Sequence, residues 1–195
     1  KIDKITIYDE NGNLVKRPIK TSKLKAGQVD RGPYDHFMKK EIFEQPQAIR
    51  DTLESRITKN SVLVGAFGPN AKKIFSQIKQ VQIVACGTSY NAGIVAKYWL
   101  EDIAKIPCNV EVASEYRYRN PILQDDTLFV TLSQSGETAD TLEALKTANK
   151  INKNINTLCI TNSAESSLSR ICDITFLTHA GPEIGVASTK AFTTQ

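Results

Sequence analysis

The apolar run Thr127, Leu128, Phe129, Val130, Thr131, Leu132 stops in Ser133, Gln134, Ser135, Gly136, Glu137, Thr138, and a helix-like segment opens at Thr138 and runs to Lys150. A run of that length and composition suits a buried strand. Where such a strand ends in hydroxyls and a glycine and turns into a helix, unbonded backbone N–H groups and the positive helix end face whatever fills the turn. That arrangement suits an anion. The design recurs at Cys86, Gly87, Thr88, Ser89 and at Val186, Ala187, Ser188, Thr189. Three such turns restrict the chain to strand–loop–helix units and point to a pocket for a phosphorylated small molecule.

The rest of the chain supports that layout. Strands are expected over 81–85, 109–113, 127–132, 156–161 and 173–177, and helices over 89–104 and 138–150. A short helical turn is expected over 166–171, and another helix near Gly185. Strands separated by helices imply right-handed crossovers and a parallel sheet covered on both faces. The expected fold class is therefore α/β, a three-layer sandwich with a five-stranded, mainly parallel sheet flanked by helices. Ligands in such folds sit beyond the carboxyl ends of the strands, where the three special loops fall.

The N-terminal part differs in character. Ile5 to Tyr8 and Leu14, Val15 flank Asp9, Glu10, Asn11, Gly12, Asn13, and Asn-Gly accepts the positive φ of a hairpin turn. A polar stretch over 20–33 reads as a linker, and the hairpin, which buries little alone, as the end of a preceding domain. From Tyr34 the pattern turns helical, with Phe37, Met38, Ile42 and Phe43 at helical spacing. Pro46 suits the first turn of a second helix that continues to about Ile57. The run 62–67 is ambiguous, and 70–78 reads as a short helix. The expected division is 1–30 hairpin and linker, 31–78 N-terminal helices, and 79–195 sheet domain. Lys1 at the start and Gln195 inside a young helix read as the ends of a piece of a longer protein.

Charge decides little. Twenty-five basic and 21 acidic residues leave +4, spread without the basic blocks of a nucleic-acid partner. No stretch approaches the roughly 18 apolar residues of a membrane span, and no signal-peptide pattern is present. Cys86, Cys108, Cys159 and Cys172 share no metal-type spacing, and free thiols beside apolar runs suit a reducing, cytoplasmic setting.

At any one of the three loops, Ser and Thr read equally well as ordinary helix N-caps. Three loops on one sheet edge favour a shared site instead. Gly87 and Gly136 remove a Cβ where backbone approaches a ligand or turns sharply. Neither a Walker loop nor a dinucleotide fingerprint is present, so hydroxyls and amides would hold a phosphomonoester by hydrogen bonds. Glu183 reads either as a sugar-orienting carboxylate or as a helix-end charge, and Lys190 as a solvated side chain more than a phosphate partner. His36 and His179 read as structural or surface residues rather than catalytic ones, and Cys86 as packed beneath its loop.

CGTS at 86–89, TLSQSGETADT at 131–141 and EIGVASTKAFTTQ at 183–195 closely resemble the sugar-isomerase (SIS) domain family. With KEIFEQP at 40–46, the stretch from about residue 30 to Gln195 is similar to the linker and the first of two SIS domains in the glutamine–fructose-6-phosphate aminotransferase family. The hairpin then resembles the end of that family's glutaminase domain, and 79–195 a first SIS domain truncated at its C-terminal end. The resemblance implies conversion of fructose 6-phosphate and glutamine to glucosamine 6-phosphate and glutamate, with no metal or organic cofactor. It implies ammonia supplied by a glutaminase domain, a homodimer, and no nucleic-acid or membrane partner. By motif, Ser133, Ser135 and Thr138 would bind the phosphate with Gln134 beside them. Thr88 and Ser89 would contact the sugar, and Val186 and Ser188 would lie along its carbon chain. No catalytic residue is assigned, because the family's acid/base groups and glutaminase nucleophile match no position here. A sugar-phosphate-sensing regulator and a deglycase or isomerase of the same superfamily are the alternatives. Against the first stands the lack of a helix-turn-helix pattern before Tyr34; the second would not need the linker.

Overall fold

The computed structural model describes residues 5–18 and 30–195, so most of the linker expected over 20–33 lies outside the described residues. The chain divides into two compact units, Lys1–Asp30 and Arg31–Gln195.

In the first unit, β1 (Ile7–Tyr8) and β2 (Leu14–Val15) pair antiparallel. Asp9 closes the turn: its carboxylate accepts from the backbone N–H of Asn11 at 2.9 Å and of Asn13 at 2.8 Å, while Gly12 takes φ +80. An Asx turn of this kind replaces backbone pairing with a side-chain acceptor.

The second unit is built on five strands: β3 (Gln80–Ala85), β4 (Cys108–Val112), β5 (Thr127–Ser133), β6 (Asn156–Thr161) and β7 (Ile174–Leu177). Their order is β4-β3-β5-β6-β7, and every pairing is parallel. The expected sheet is thus present, wholly rather than mainly parallel. Between the strands run α3 (Gly87–Trp99), α4 (Ala113–Tyr116), α5 (Ala139–Ile151) and α6 (Ser167–Ile171). Preceding them are α1 (Phe37–Leu53) and α2 (Ala71–Phe75), and α7 (Lys190–Thr194) follows.

Strand alternation builds two cores. Val81, Ile83, Leu128, Val130 and Leu158 face one way and pack with α2 and α3 residues such as Ala71, Ile74 and Ala96. Val84, Phe129 and Cys159 face the other way, against Tyr116, Ala144, Leu145, Ala148 and Leu168. Three layers result, as the sequence predicts. The first face also carries an apolar cleft of about 550 Å³, floored by β3, β5 and β6 and walled by Trp99, Leu100 and Ile103.

Several local expectations need correction. The two helices expected on either side of Pro46 are one, with Pro46 inside α1. Proline removes the N–H that would bond the carbonyl of Ile42, and the side-chain amide of Gln45 donates to that carbonyl instead, at 2.9 Å. Part of the ambiguous run forms a single 3₁₀ turn, Val64–Phe67, and Val62 bridges to Ile57. The helix expected over 89–104 begins earlier, at Gly87, and its last turn, Leu100–Ala104, widens to π geometry before Lys105 ends it at φ +55. The helix expected near Gly185 begins only at Lys190, because Gly185 serves a different purpose, described below.

The topology fixes where a ligand can sit. The chain leaves β3 toward β4 on one side, then returns to β5 on the other, so the connections after β3 and β5 part company. In an open parallel sheet the crevice at such a switch point is the natural ligand site.

Candidate functional site

The three loops meet at that switch point. Cys86, Gly87, Thr88, Ser89, Gln134, Ser135, Thr138, Val186, Ala187 and Ser188 line one cleft of about 380 Å³. Seven of the eight residues singled out from sequence lie on its wall. The eighth, Ser133, is buried beneath it at the end of β5.

Ser133 organises the central turn from below. Its Oγ accepts the Gly136 N–H at 3.0 Å and shares a hydrogen bond with Thr138 Oγ1 at 2.8 Å. Ser135 Oγ, exposed above, accepts the Glu137 N–H at 3.1 Å. Gly136 must be glycine: φ is +66, and a Cβ would come within 2.1 Å of Ser166 Oγ. The loop is tied sideways as well. The Gln134 carbonyl accepts the Asn162 N–H at 3.0 Å, and the Gly136 carbonyl accepts that of Leu168 at 3.1 Å. Glu137 accepts the Ser167 N–H at 2.7 Å, and hydrogen bonding to Ser167, from its hydroxyl first and its N–H second, holds the carboxyl below the usual range.

Helix capping does not use up these hydroxyls. At α6 it does occur, with Ser166 Oγ accepting from Ser169 N–H. The N-cap residues of α3, α5 and α7 are Cys86, Thr138 and Thr189, and none makes a side-chain cap bond. Thr88 and Ser89 lie inside the first turn of α3, where backbone N–H groups have no carbonyl of their own helix to meet. With Gly87 at φ +58, that first turn opens on the cleft beside the Ser135 turn. No lysine, arginine, histidine or carboxylate is among the lining residues. Such a wall offers hydroxyls, an amide and two helix starts, the chemistry that holds an anion by hydrogen bonds and dipoles.

The third loop is the least anchored of the three. Val186 is fully exposed at the cleft mouth and Ser188 half-buried, and among the described residues no hydrogen bond holds 186–188. Its flanks are held firmly. Glu183 accepts the backbone N–H groups of Thr189 at 2.8 Å, Lys190 at 2.9 Å and Ala191 at 3.3 Å. Of the two readings open for Glu183, the helix-end carboxylate is the one observed. Lys190 is neither solvated nor at the cleft. It is 3% exposed, and its Nζ donates to Glu44 Oε2 at 2.7 Å and to the Pro182 carbonyl at 2.9 Å.

Sequence reasoning missed Glu41 and Glu44 on α1. Glu41 is 2% exposed, and its carboxylate accepts the N–H of Ile184 at 2.5 Å and of Gly185 at 3.0 Å. The available signal was periodic: Glu41, Ala48 and Thr52 share the buried stripe of α1, and a carboxylate on such a stripe needs a partner.

The sequence model of the SIS domain matches residues 74–195. The chain belongs to the SIS domain family. Over 99% of its length it is 58% identical to the glutamine–fructose-6-phosphate aminotransferase (isomerizing) of Pseudomonas putida, and 56% identical over 98% to that of Legionella pneumophila strain Paris. It spans about a third of those relatives, 31% and 32%. Among solved structures, the C-terminal domain of glucosamine-fructose-6-phosphate aminotransferase from Francisella tularensis superposes with a TM-score of 0.80 at 52% identity, covering 85% of this chain and 46% of that one. The SIS sheet, the switch-point cleft and the hydroxyl-rich turns thus stand in one family frame.

Proposed function

We propose that this SIS domain is the hexose-phosphate-binding part of a glutamine–fructose-6-phosphate aminotransferase. The names of its relatives supply the reaction class, and the cleft supplies the reason the chain would serve it. Ser133, Ser135 and Thr138 bind the phosphate with Gln134 beside them, Thr88 and Ser89 meet the sugar, and Val186 and Ser188 lie along its carbon chain. The observation that carries this reading is that three loops, far apart in sequence, line one cleft of hydroxyls and amide groups.

The cleft wall has donors for an anion and, among its lining residues, no carboxylate, lysine or histidine to move a proton. Its contribution is therefore grip and orientation. Holding the phosphate at one end and the carbon chain along the third loop fixes the open-chain sugar relative to incoming ammonia. Proton transfer between C1 and C2, the glutaminase source of ammonia, and a dimeric assembly belong to the whole enzyme in this reading. Residues 1–30 are assigned to the end of the glutaminase domain and its linker, 31–78 to the helical approach, and 79–195 to the first SIS domain. The setting is cytoplasmic.

The test is a solution titration. Fructose 6-phosphate added to the isotopically labelled chain should shift the amide signals of 86–89, 133–138 and 186–188. Replacing both Ser133 and Ser135 with alanine should abolish the response. Shifts confined to other parts of the sheet would reject the assignment.

A further inference from the structure

The third loop hangs from α1. Glu41 takes the N–H groups of Ile184 and Gly185, with both oxygens engaged at Gly185, 3.0 and 3.2 Å away. Glu44 takes Lys190 Nζ, which in turn reaches back to the Pro182 carbonyl. Farther along the helix, Thr52 Oγ1 accepts the His179 N–H at 3.1 Å. Just past its end, Arg56 donates to the Leu177 carbonyl and lies 4.6 Å over the Phe176 ring. The return path from the end of β7 to the start of α7 is thus held at three stations on α1 and a fourth just past it, and again at Thr161 and Asn162 through Thr178, Ala180 and Gly181. Only 186–188, the part that faces the cleft, is left without a hydrogen bond among the described residues.

Burying a carboxylate is costly unless hydrogen bonds replace its water, and here backbone donors of this one loop do so. Gly185 fits the same purpose. A Cβ there would stand 2.6 Å from Glu41 Oε2 and 3.3 Å from Met38 Cε, so a larger residue would have to push the carboxylate off its backbone donors. Lys190 completes the frame as a buried cation facing Glu44, with Lys40 on the outer side of Glu44 at 3.5 Å.

We propose that Glu41 and Glu44 are positioning residues for sugar recognition: they set the height of Val186 and Ser188 over the cleft, while the phosphate grip of 133–138 is built independently of them. This rests on the hexose-phosphate reading above and adds a division of labour within it. The phosphate turn is anchored just past β6 and on α6, through Asn162, Ser167 and Leu168. Asn162 also holds Ala180 and Gly181 of the third loop's approach, so the two loops share that residue, but Glu41 and Glu44 touch only the third. The sugar loop is anchored to α1. Substituting an α1 carboxylate should therefore cost sugar recognition and spare phosphate recognition.

The experiment compares two probes, fructose 6-phosphate and inorganic phosphate, on the unmodified chain and on Glu41→Gln. The amide group keeps the size of the carboxylate but loses an acceptor and the charge. The expected result is about a tenfold loss of affinity for fructose 6-phosphate, the weight of one charge-assisted hydrogen bond, with phosphate affinity within about twofold. Ligand-induced shifts at 186–188 should shrink, and those at 133–138 should persist. Glu44→Gln, on a side chain 37% exposed, gives the same split should Glu41→Gln fail to fold. Equal losses for both probes, or none for either, would overturn the inference and leave the cleft assignment standing. An unmodified chain that binds phosphate but gains nothing from the sugar removes the third loop's role. One that binds neither probe overturns the hexose-phosphate reading itself, and this inference with it.

Discussion

Ser133 Oγ lies 2.8 Å from Thr138 Oγ1 and accepts the Gly136 N–H, so one buried hydroxyl joins the end of β5, the crest of the turn and the start of α5. Ser133→Ala leaves that N–H without its acceptor in a buried place, a loss of about 1–3 kcal/mol. Ser135 is exposed, and its alanine variant should stay within about 0.5 kcal/mol of the parent. Both variants should weaken fructose 6-phosphate binding. Urea unfolding beside a binding titration separates the two: Ser133→Ala loses stability and affinity, Ser135→Ala affinity alone.

Gly136 and Gly87 share a left-handed conformation, at φ +66 and +58, but not a neighbourhood. A Cβ on Gly87 meets nothing within 4 Å, so Gly87→Ala costs only the left-handed penalty, about 1–2 kcal/mol. A Cβ on Gly136 would stand 2.1 Å from Ser166 Oγ and 2.9 Å from Thr161 Oγ1, both in buried side chains. Gly136→Ala should therefore unfold at distinctly lower denaturant than Gly87→Ala. Equal midpoints would show that the turn can shift away from β6.

The sheet was legible because its central strands are buried on both faces, and a run such as Thr127 to Leu132 has no other comfortable place. The turns were legible for a related reason, since Gly and Ser at a strand end restrict what the backbone can do next. What the sequence hid were contacts between distant residues. Lys190 looks like a surface lysine until Glu44, 146 positions earlier, is set beside it. Gly185 looks like a helix start until Glu41 is seen in the space its side chain would fill. Pro46 looks like a helix boundary because local rules cannot show that Gln45 will satisfy the Ile42 carbonyl. Propensity reads one segment at a time, and these three residues answer to a second.

Glu137 gives the phosphate turn a pH dependence. Hydrogen bonding to Ser167 lowers its pKa below the ordinary 4.5, so the folded state favours the ionised form. The stability this bond contributes is complete above 4.5 and is lost as pH falls through the lower folded value. The Ser167 amide signal should accordingly move with a midpoint below 4.5, and Glu137→Gln should erase that transition. A midpoint at or above the ordinary value would show that the bond does not persist in solution.

Cys108 gives the opposite sign at the other end of the scale. Burial, chiefly, and the nearby charge of Glu101 push its thiol from 9.0 up to about 11. Between those values the unfolded chain releases a proton that the folded chain keeps, so the unfolded state is favoured more as pH rises. Stability should therefore decline across the window from 9 to 11, by at most about 2 kcal/mol from this group. Tyr116, also raised by burial, adds to the same decline from a higher starting point. Cys108→Ala removes only the first share. Urea midpoints measured through the window should fall less steeply in that variant than in the parent chain, and parallel slopes would mean that the thiol meets water more freely than its 5% exposure allows.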